Sequence, residues 1–417
     1  TAMQRLTATL ALWAGLTACA QAAEPITLGL NYPRTGSYKE EGVAQMRGAL
    51  LAIEELNANG GVLGRPLRLS SLDTASRPEK AVRNVDKLAD EGAVMLFGGA
   101  SSAVAIAAGK RAKERGLLYF GTLTYSNDTT GKDGHRYMFR ECNSAWMSAR
   151  ALGQELTKSL PGKRYFYVTA DYTWGTTSES SLRETTGTQD ANQHPGLKVP
   201  FPGARLSDYR NALKQAAASQ AEVLVLVLFG EDLVHAMGIV DQLGLNKRMQ
   251  IVAPNLTQSI VEQAGPTLMQ GVIGTEPWTW QVPEREGSER GKAFVNAFSQ
   301  HYGVYPSSSA ASAYSIVQQW ADAARRSKSL DSEALIKALE GHRYSLLKGE
   351  QQWRAFDHQN VQSVYVVKVK PRDQVMKGAQ RQDYFDIIHQ LDGQHAAPSL
   401  AEWQAERRAT GQPTTLQ

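Results

Sequence analysis

Hydroxyl, aromatic and acidic side chains gather in short segments that each follow an apolar run. Gly98-Gly99-Ala100-Ser101-Ser102 sets two adjacent hydroxyls at the start of an expected helix. The Ser101 and Ser102 hydroxyls, with the free backbone N–H groups of a first helical turn, make a neutral polar cup for an anion or a carboxylate. Plain N-capping by Ser102 accounts for the same residues equally well. Leu123-Thr124-Tyr125-Ser126 is a second hydroxyl-rich segment, with Thr124 and Tyr125 as its candidates. Asp171-Tyr172-Thr173-Trp174-Gly175 joins two rings to a carboxylate. Rings supply contact area at low entropic cost, and Asp171 suits an ammonium or an amide; the competing reading packs Tyr172 or Trp174 on its own domain. Glu231 and Asp232 could hold a cation or cap the next helix, and Asn255 could bind or cap. Trp278 and Trp280 read first as core or hinge packing.

These groups belong to recognition, not to bond making. The chain contains no GxSxG elbow, no GxxxxGK[ST] loop, no HExxH and no Cys/His metal spacing. Gly60, Gly61 and Gly64 do not fit GxGxxG. The His residues, His135, His194, His235, His301, His342, His358, His389 and His395, are scattered without a triad. Cys142 has no Cys or His company and reads as buried and structural. No catalysis, no metal and no cofactor is therefore expected. Lys and Arg number 45 against 41 Asp and Glu, without a basic stripe, so nucleic acid is not the expected partner.

The elements that position these segments alternate. Short apolar runs such as Ile26–Tyr32, Ala93–Gly99 and Glu222–Leu228 read as strands, and amphipathic stretches between them as helices. Residues 41–58 place Val43, Met46, Leu50, Ile53 and Leu56 on one expected core face. Further helices are expected at 77–91, 102–115, 144–159, 175–186, 208–219, 231–243, 288–302, 308–327 and 331–340. The last strands are expected near 348–357 and 361–370, and the polar tail from about 372 as irregular chain. At 417 residues the chain is too long for one core. Two successive runs of the strand–helix rhythm predict an α/β protein of two doubly wound parallel-sheet lobes. In such sheets ligands bind beyond the carboxyl ends of the strands, where the chemical segments lie.

Residues 1–23 carry one charge, Arg5, then an apolar run and an A-x-A site at Ala20-Gln21-Ala22. This is the layout of a secretory signal peptide, too short in its apolar run to span a membrane. Leu16-Thr17-Ala18-Cys19 also resembles a lipoprotein box, so two outcomes stay open: a leader removed whole, or a lipid anchor at Cys19. Both place the mature protein in the periplasm.

Glu55-Leu-Asn-Ala-Asn-Gly-Gly-Val-Leu-Gly-Arg-Pro-Leu67 resembles the turn between first helix and second strand in the branched-chain amino-acid-binding protein family. The similarity continues through Thr35-Gly36-Ser37, the serine loop, Asp171–Gly175 and Asp357-His-Gln-Asn-Val-Gln362. The resemblance implies a type I periplasmic binding protein fold. It divides the chain into lobe 1 at 24–140 plus 279–345, lobe 2 at 141–278 plus 346–380 and a tail at 381–417, with crossovers near 138–143, 275–281 and 342–349. It implies a small polar ligand (amino acid, amide or small carboxylate) delivered to an ABC transporter permease in the inner membrane; a membrane sensor kinase or chemoreceptor is the alternative partner. It places a ligand carboxylate on Ser101 or Ser102 and on Leu123 through Tyr125, and an aromatic lid at Tyr172 or Trp174. Amino-acid binders carry an acid where this chain has Asn255. That departure argues against an α-amino acid, unless Glu231 or Asp171 supplies the charge.

Overall fold

The computed structural model describes residues 22–417; Cys19 and most of the expected leader lie outside the described residues. The first sheet contains β1 (Ile26–Tyr32), β2 (Leu67–Asp73), β3 (Ala93–Gly99), β4 (Tyr119–Thr122) and β5 (Met138–Arg140), all parallel, in the order β2-β1-β3-β4-β5. The second begins with β6 (Tyr165–Ala170), β7 (Gly196–Val199), β8 (Val223–Val227), β9 (Gln250–Ala253) and β10 (Ile273–Glu276), in the order β10-β9-β8-β6-β7. Read from the other edge, this repeats the order of the first sheet. Each lobe is thus a doubly wound unit whose strand order reverses beside its first strand, and that switch point opens a crevice at the carboxyl ends. All five residues of β8 are buried, as a central strand covered by helices on both faces must be.

After these, β11 (Arg343–Tyr344), β12 (Gln351–Trp353) and β13 (Asn360–Val361) form a small antiparallel sheet, and β14 (Val364–Val369) and β15 (Phe385–Leu391) extend the second sheet antiparallel from β10. The expected strand near 348–357 shrinks to β12. Its Trp353 packs edge-on against Phe120 and Phe139 of the first sheet and donates to Gln319, and the chain joins the second sheet only at Val364. Buried cations tie the crossing strands. Arg140 donates to Thr124 O at 2.9 Å and Gln359 Oε1 at 2.8 Å. Lys348 donates to Gln362 Oε1 at 2.8 Å and Ser363 O at 3.1 Å.

Two expectations fail. Val43 and Leu50 of the Lys39–Ala58 helix are 42% and 43% exposed, whereas Glu41, Gln45 and Gly48 face inward. The inner face is chosen by close helix approach: a Cβ on Gly48 would lie 2.1 Å from the Ala310 carbonyl oxygen of the Ser308–Ser327 helix, so only glycine fits. The tail is regular, not irregular. β15 is the edge strand of the second sheet, anchored by buried Phe385 and Leu391 at its two ends, and the Leu400–Ala409 helix then docks on the first lobe. There Trp403 Nε1 donates to Thr130 O at 2.7 Å and Arg407 Nη1 to Gly131 O at 2.8 Å. Hydrogen bonding beyond the strand pattern gave this polar segment its order.

Candidate functional site in the closed cleft

The carboxyl ends of the two sheets face each other, and the lobes are shut. Gly98, Gly99 and Ala100 all adopt positive φ, which turns the chain sharply off β3 and drives Ser101 inward. Ser101 is buried and caps nothing, and its hydroxyl lies near that of Tyr172 but makes no well-formed hydrogen bond among the described residues. Ser102 is not a cap either; its Oγ accepts from Ser126 N at 3.0 Å and ties the two hydroxyl loops together. Thr124 Oγ1 pairs with Thr129 Oγ1 at 2.9 Å. The Tyr125 hydroxyl is buried without a hydrogen-bond partner among the described residues.

From the second lobe, Trp174 is buried and its Nε1 donates to Asn255 Oδ1 at 2.9 Å. Asn255 Nδ2 donates to Ser148 Oγ at 3.2 Å. Trp174 and Asn255 are therefore held by their own lobe. Tyr172 is the ring that crosses: its hydroxyl lies 2.8 Å from that of Tyr38, and its face stacks on Phe201 at 3.9 Å between centroids. Tyr38 also meets Phe229 edge-on at 5.1 Å. Further cross-lobe bonds join Ser126 Oγ to Thr173 Oγ1 (2.6 Å), Thr173 Oγ1 to Asp128 (2.7 Å) and Glu231 N to Ser37 O (3.1 Å). Gly230 permits the last of these: a Cβ there would come within 2.6 Å of Ser37 O and of the Tyr38 ring.

Ser101, Ser102, Thr124, Tyr125, Tyr172, Trp174 and Asn255 are thus brought to one cleft, and two expected residues are not. The Asp171 side chain is 60% exposed and pairs with Lys198 at 3.6 Å on the surface. The Glu231 side chain sits on the rim, paired with Lys39 at 3.1 Å.

The sequence reading missed Tyr38, Phe201, Phe229 and, above all, two buried acids. Glu41 accepts from Thr257 Oγ1 at 2.6 Å, across the lobes, and from Ser309 Oγ. Burial pushes its carboxyl up to about 7, with the Ser309 and Thr257 donors opposing. Glu276, the last residue of β10, accepts from Ser308 Oγ at 2.9 Å, and burial raises its carboxyl well above the usual range. An acid in the first turn of a helix usually serves the helix dipole, so Glu41 gave no signal of its own.

The periplasmic binding protein model matches residues 25–378. The chain belongs to the periplasmic binding protein family. An "Amino acid binding protein" of Pseudomonas aeruginosa is 26% identical over 338 residues, which cover 79% of this chain and 86% of the relative. A "Leu/Ile/Val-binding protein homolog 4" of Brucella melitensis is 22% identical over 359 residues, 82% of this chain and 83% of the relative. The crystal structure of a periplasmic binding protein from Burkholderia mallei superposes with a TM-score of 0.81 at 22% identity, covering 91% of this chain and 98% of that one. This periplasmic binding protein thus has the two-lobed fold expected of a solute receptor. Its matched region ends before β15 and the Leu400–Ala409 helix.

Proposed function

We propose that this chain captures a small polar organic ligand between its lobes and delivers it to the permease of an ABC importer, without catalysing a reaction. One observation carries the reading: a closed cleft at paired strand ends keeps the Ser101 and Tyr125 hydroxyls buried without well-formed hydrogen bonds among the described residues. Buried polar groups are nearly always hydrogen-bonded, so such groups in a cleft await a ligand. A ligand carboxylate fits the Ser101 loop, where a helix start supplies backbone donors. As working lobes we take 24–140 with 279–361 and 141–278 with 362–391, in place of the expected 279–345 and 346–380; the packing of Trp353 on the first sheet and the pairing of β15 with β14 support the change. The mature protein works in the periplasm, either free or anchored through a lipid on Cys19.

A ligand first docked on the serine loop gains the Tyr172 and Phe229 contacts only on closure. That differential contact is what shifts an open–closed equilibrium. The test is a thermal-shift screen over amino acids, amides, urea, short carboxylates and aromatic acids, followed by small-angle scattering with any hit. A specific ligand at a hundredfold excess over its Kd stabilises by about 2.7 kcal/mol. Compaction on adding the hit, lost in Ser101→Ala, is the expected result; a hit that leaves the scattering unchanged refutes capture by closure.

A further inference from the structure

Asn255 is neutral and fully engaged with Trp174 and Ser148, so it offers a ligand no charge. The cleft nevertheless contains charge. Glu41 enters from the first lobe and Glu276 from the end of β10, each buried to 1% exposure and each held only by hydroxyl donors. Consecutive hydroxyls bring them together, since Ser309 donates to Glu41 and Ser308 to Glu276, and the two carboxyls raise each other's proton affinity. Among the described residues the one cation acting on Glu276 is Lys348, whose ammonium is already bonded to Gln362 and Ser363, and none acts on Glu41. A buried carboxylate without a counter-ion is costly to keep, and natural proteins pair such charges.

Two independent features mark the place as a receptor. The Tyr125 hydroxyl is buried and has no hydrogen-bond partner among the described residues. The Gln45 amide, one turn beyond Glu41, is fully buried, and neither its oxygen nor its nitrogen is bonded among the described residues. The neighbouring wall is aromatic: Tyr125 and Trp174 both meet Phe229, at 6.4 and 6.0 Å between centroids, and Tyr38 meets it from the first lobe. Carboxylates beside ring faces are the surroundings that attract an organic cation.

We infer that Glu41 and Glu276 form the cation pole of the cleft, and that the ligand bears an ammonium group seated on them. This rests on the reading of the cleft as the solute site, and deepens it by naming what the ligand must carry. It also removes the argument that Asn255 makes against amines, because the neutralising acids sit on the first helix and the hinge strand.

Matched probes test it: leucine against 4-methylpentanoate, phenylalanine against 3-phenylpropionate, and 4-aminobutyrate against butyrate, by thermal shift and calorimetry on the refolded, ligand-free protein. The amine-bearing member of at least one pair should bind, and its deaminated partner should bind at least about 30-fold more weakly. Glu276→Gln and Glu41→Gln should each erase most of that difference, while Glu284→Gln, whose side chain is 83% exposed on the surface, should keep it. Ligand-free melting of the two cleft variants checks that they fold. Equal binding of both members of the pairs that bind, or a preference untouched by both cleft variants, overturns the pole and leaves the cleft reading standing. If no member of any pair binds, the pole falls, and the solute site stands or falls by the wider screen.

Discussion

The most direct perturbation of this molecule is a single proton on Glu41. Its carboxyl stands at about 7 in the folded protein, against an ordinary 4.5. The groups around it are the Thr257 and Ser309 hydroxyls, Glu40 on its own helix and Glu276 from β10. Between those two pH values the folded chain holds a proton that the unfolded chain has released. Raising the pH through this window therefore lowers stability; below about 4.5 and above about 7 the contribution is flat. At about 1.4 kcal/mol per pH unit the total is roughly 3 kcal/mol. Glu41→Gln keeps an oxygen for Thr257 and Ser309 to donate to, and has no proton to lose. Urea unfolding of the ligand-free proteins from pH 4 to 8 measures this. Wild type should lose about 3 kcal/mol relative to the variant between pH 4.5 and 7. Titrating groups not coupled to Glu41, such as His135, whose ring burial pushes down to about 3, cancel in the difference, and Glu276, which Glu41 raises, is checked by the same comparison in a Glu276→Gln background. Parallel curves for the two proteins would refute the claim that Glu41 is buried without a cation.

Three further outcomes follow from the cleft. Tyr172→Phe removes the hydroxyl that meets Tyr38 across the lobes, at a cost of about 1 kcal/mol to closure; calorimetry with the screened ligand should show roughly fivefold weaker binding. Ser101→Ala deletes a hydroxyl with no well-formed hydrogen bond among the described residues, so urea unfolding should shift by less than about 0.5 kcal/mol while ligand affinity falls at least about tenfold. A chain ended at Pro398 loses Trp403 and Arg407, both buried on the first lobe, and should show a larger ligand-free radius of gyration by small-angle scattering.

Much of the architecture was legible because period and punctuation agree along the chain. The helix expected at 308–327 is Ser308–Ser327, and that expected at 288–302 is Glu289–Tyr302. The strand-end loops were legible for the same reason, since topology decides where a doubly wound sheet opens. What stayed hidden depends on contacts between distant segments. The periodicity of residues 41–58 pointed to Val43 and Leu50, but Gly48 against Ala310 turned the other face inward and took Glu41 and Gln45 with it. Asp171 and Glu231 looked like binding groups by position, yet each had a lysine within reach outside the cleft. Trp174 looked like a lid, but its indole nitrogen found Asn255 in its own lobe.

The returning C-terminal segment changes the mechanics of the hinge. It leaves the second sheet at Leu391, passes so close to Gln362 that a Cβ on Gly393 would lie 2.6 Å from the Gln362 nitrogen, bonds Arg354 through the Pro398 carbonyl, and ends on the first lobe. Four runs of chain therefore cross where three would join the lobes. Beside the others, a fourth tie would widen the spine, leaving bending free while resisting torsion. On the proposed opening and closing, the lobes would part and meet along one path, with their rims in register each time. A permease that grips both rims would meet the same pair of surfaces at every delivery, and solute would enter and leave by the mouth opposite the spine.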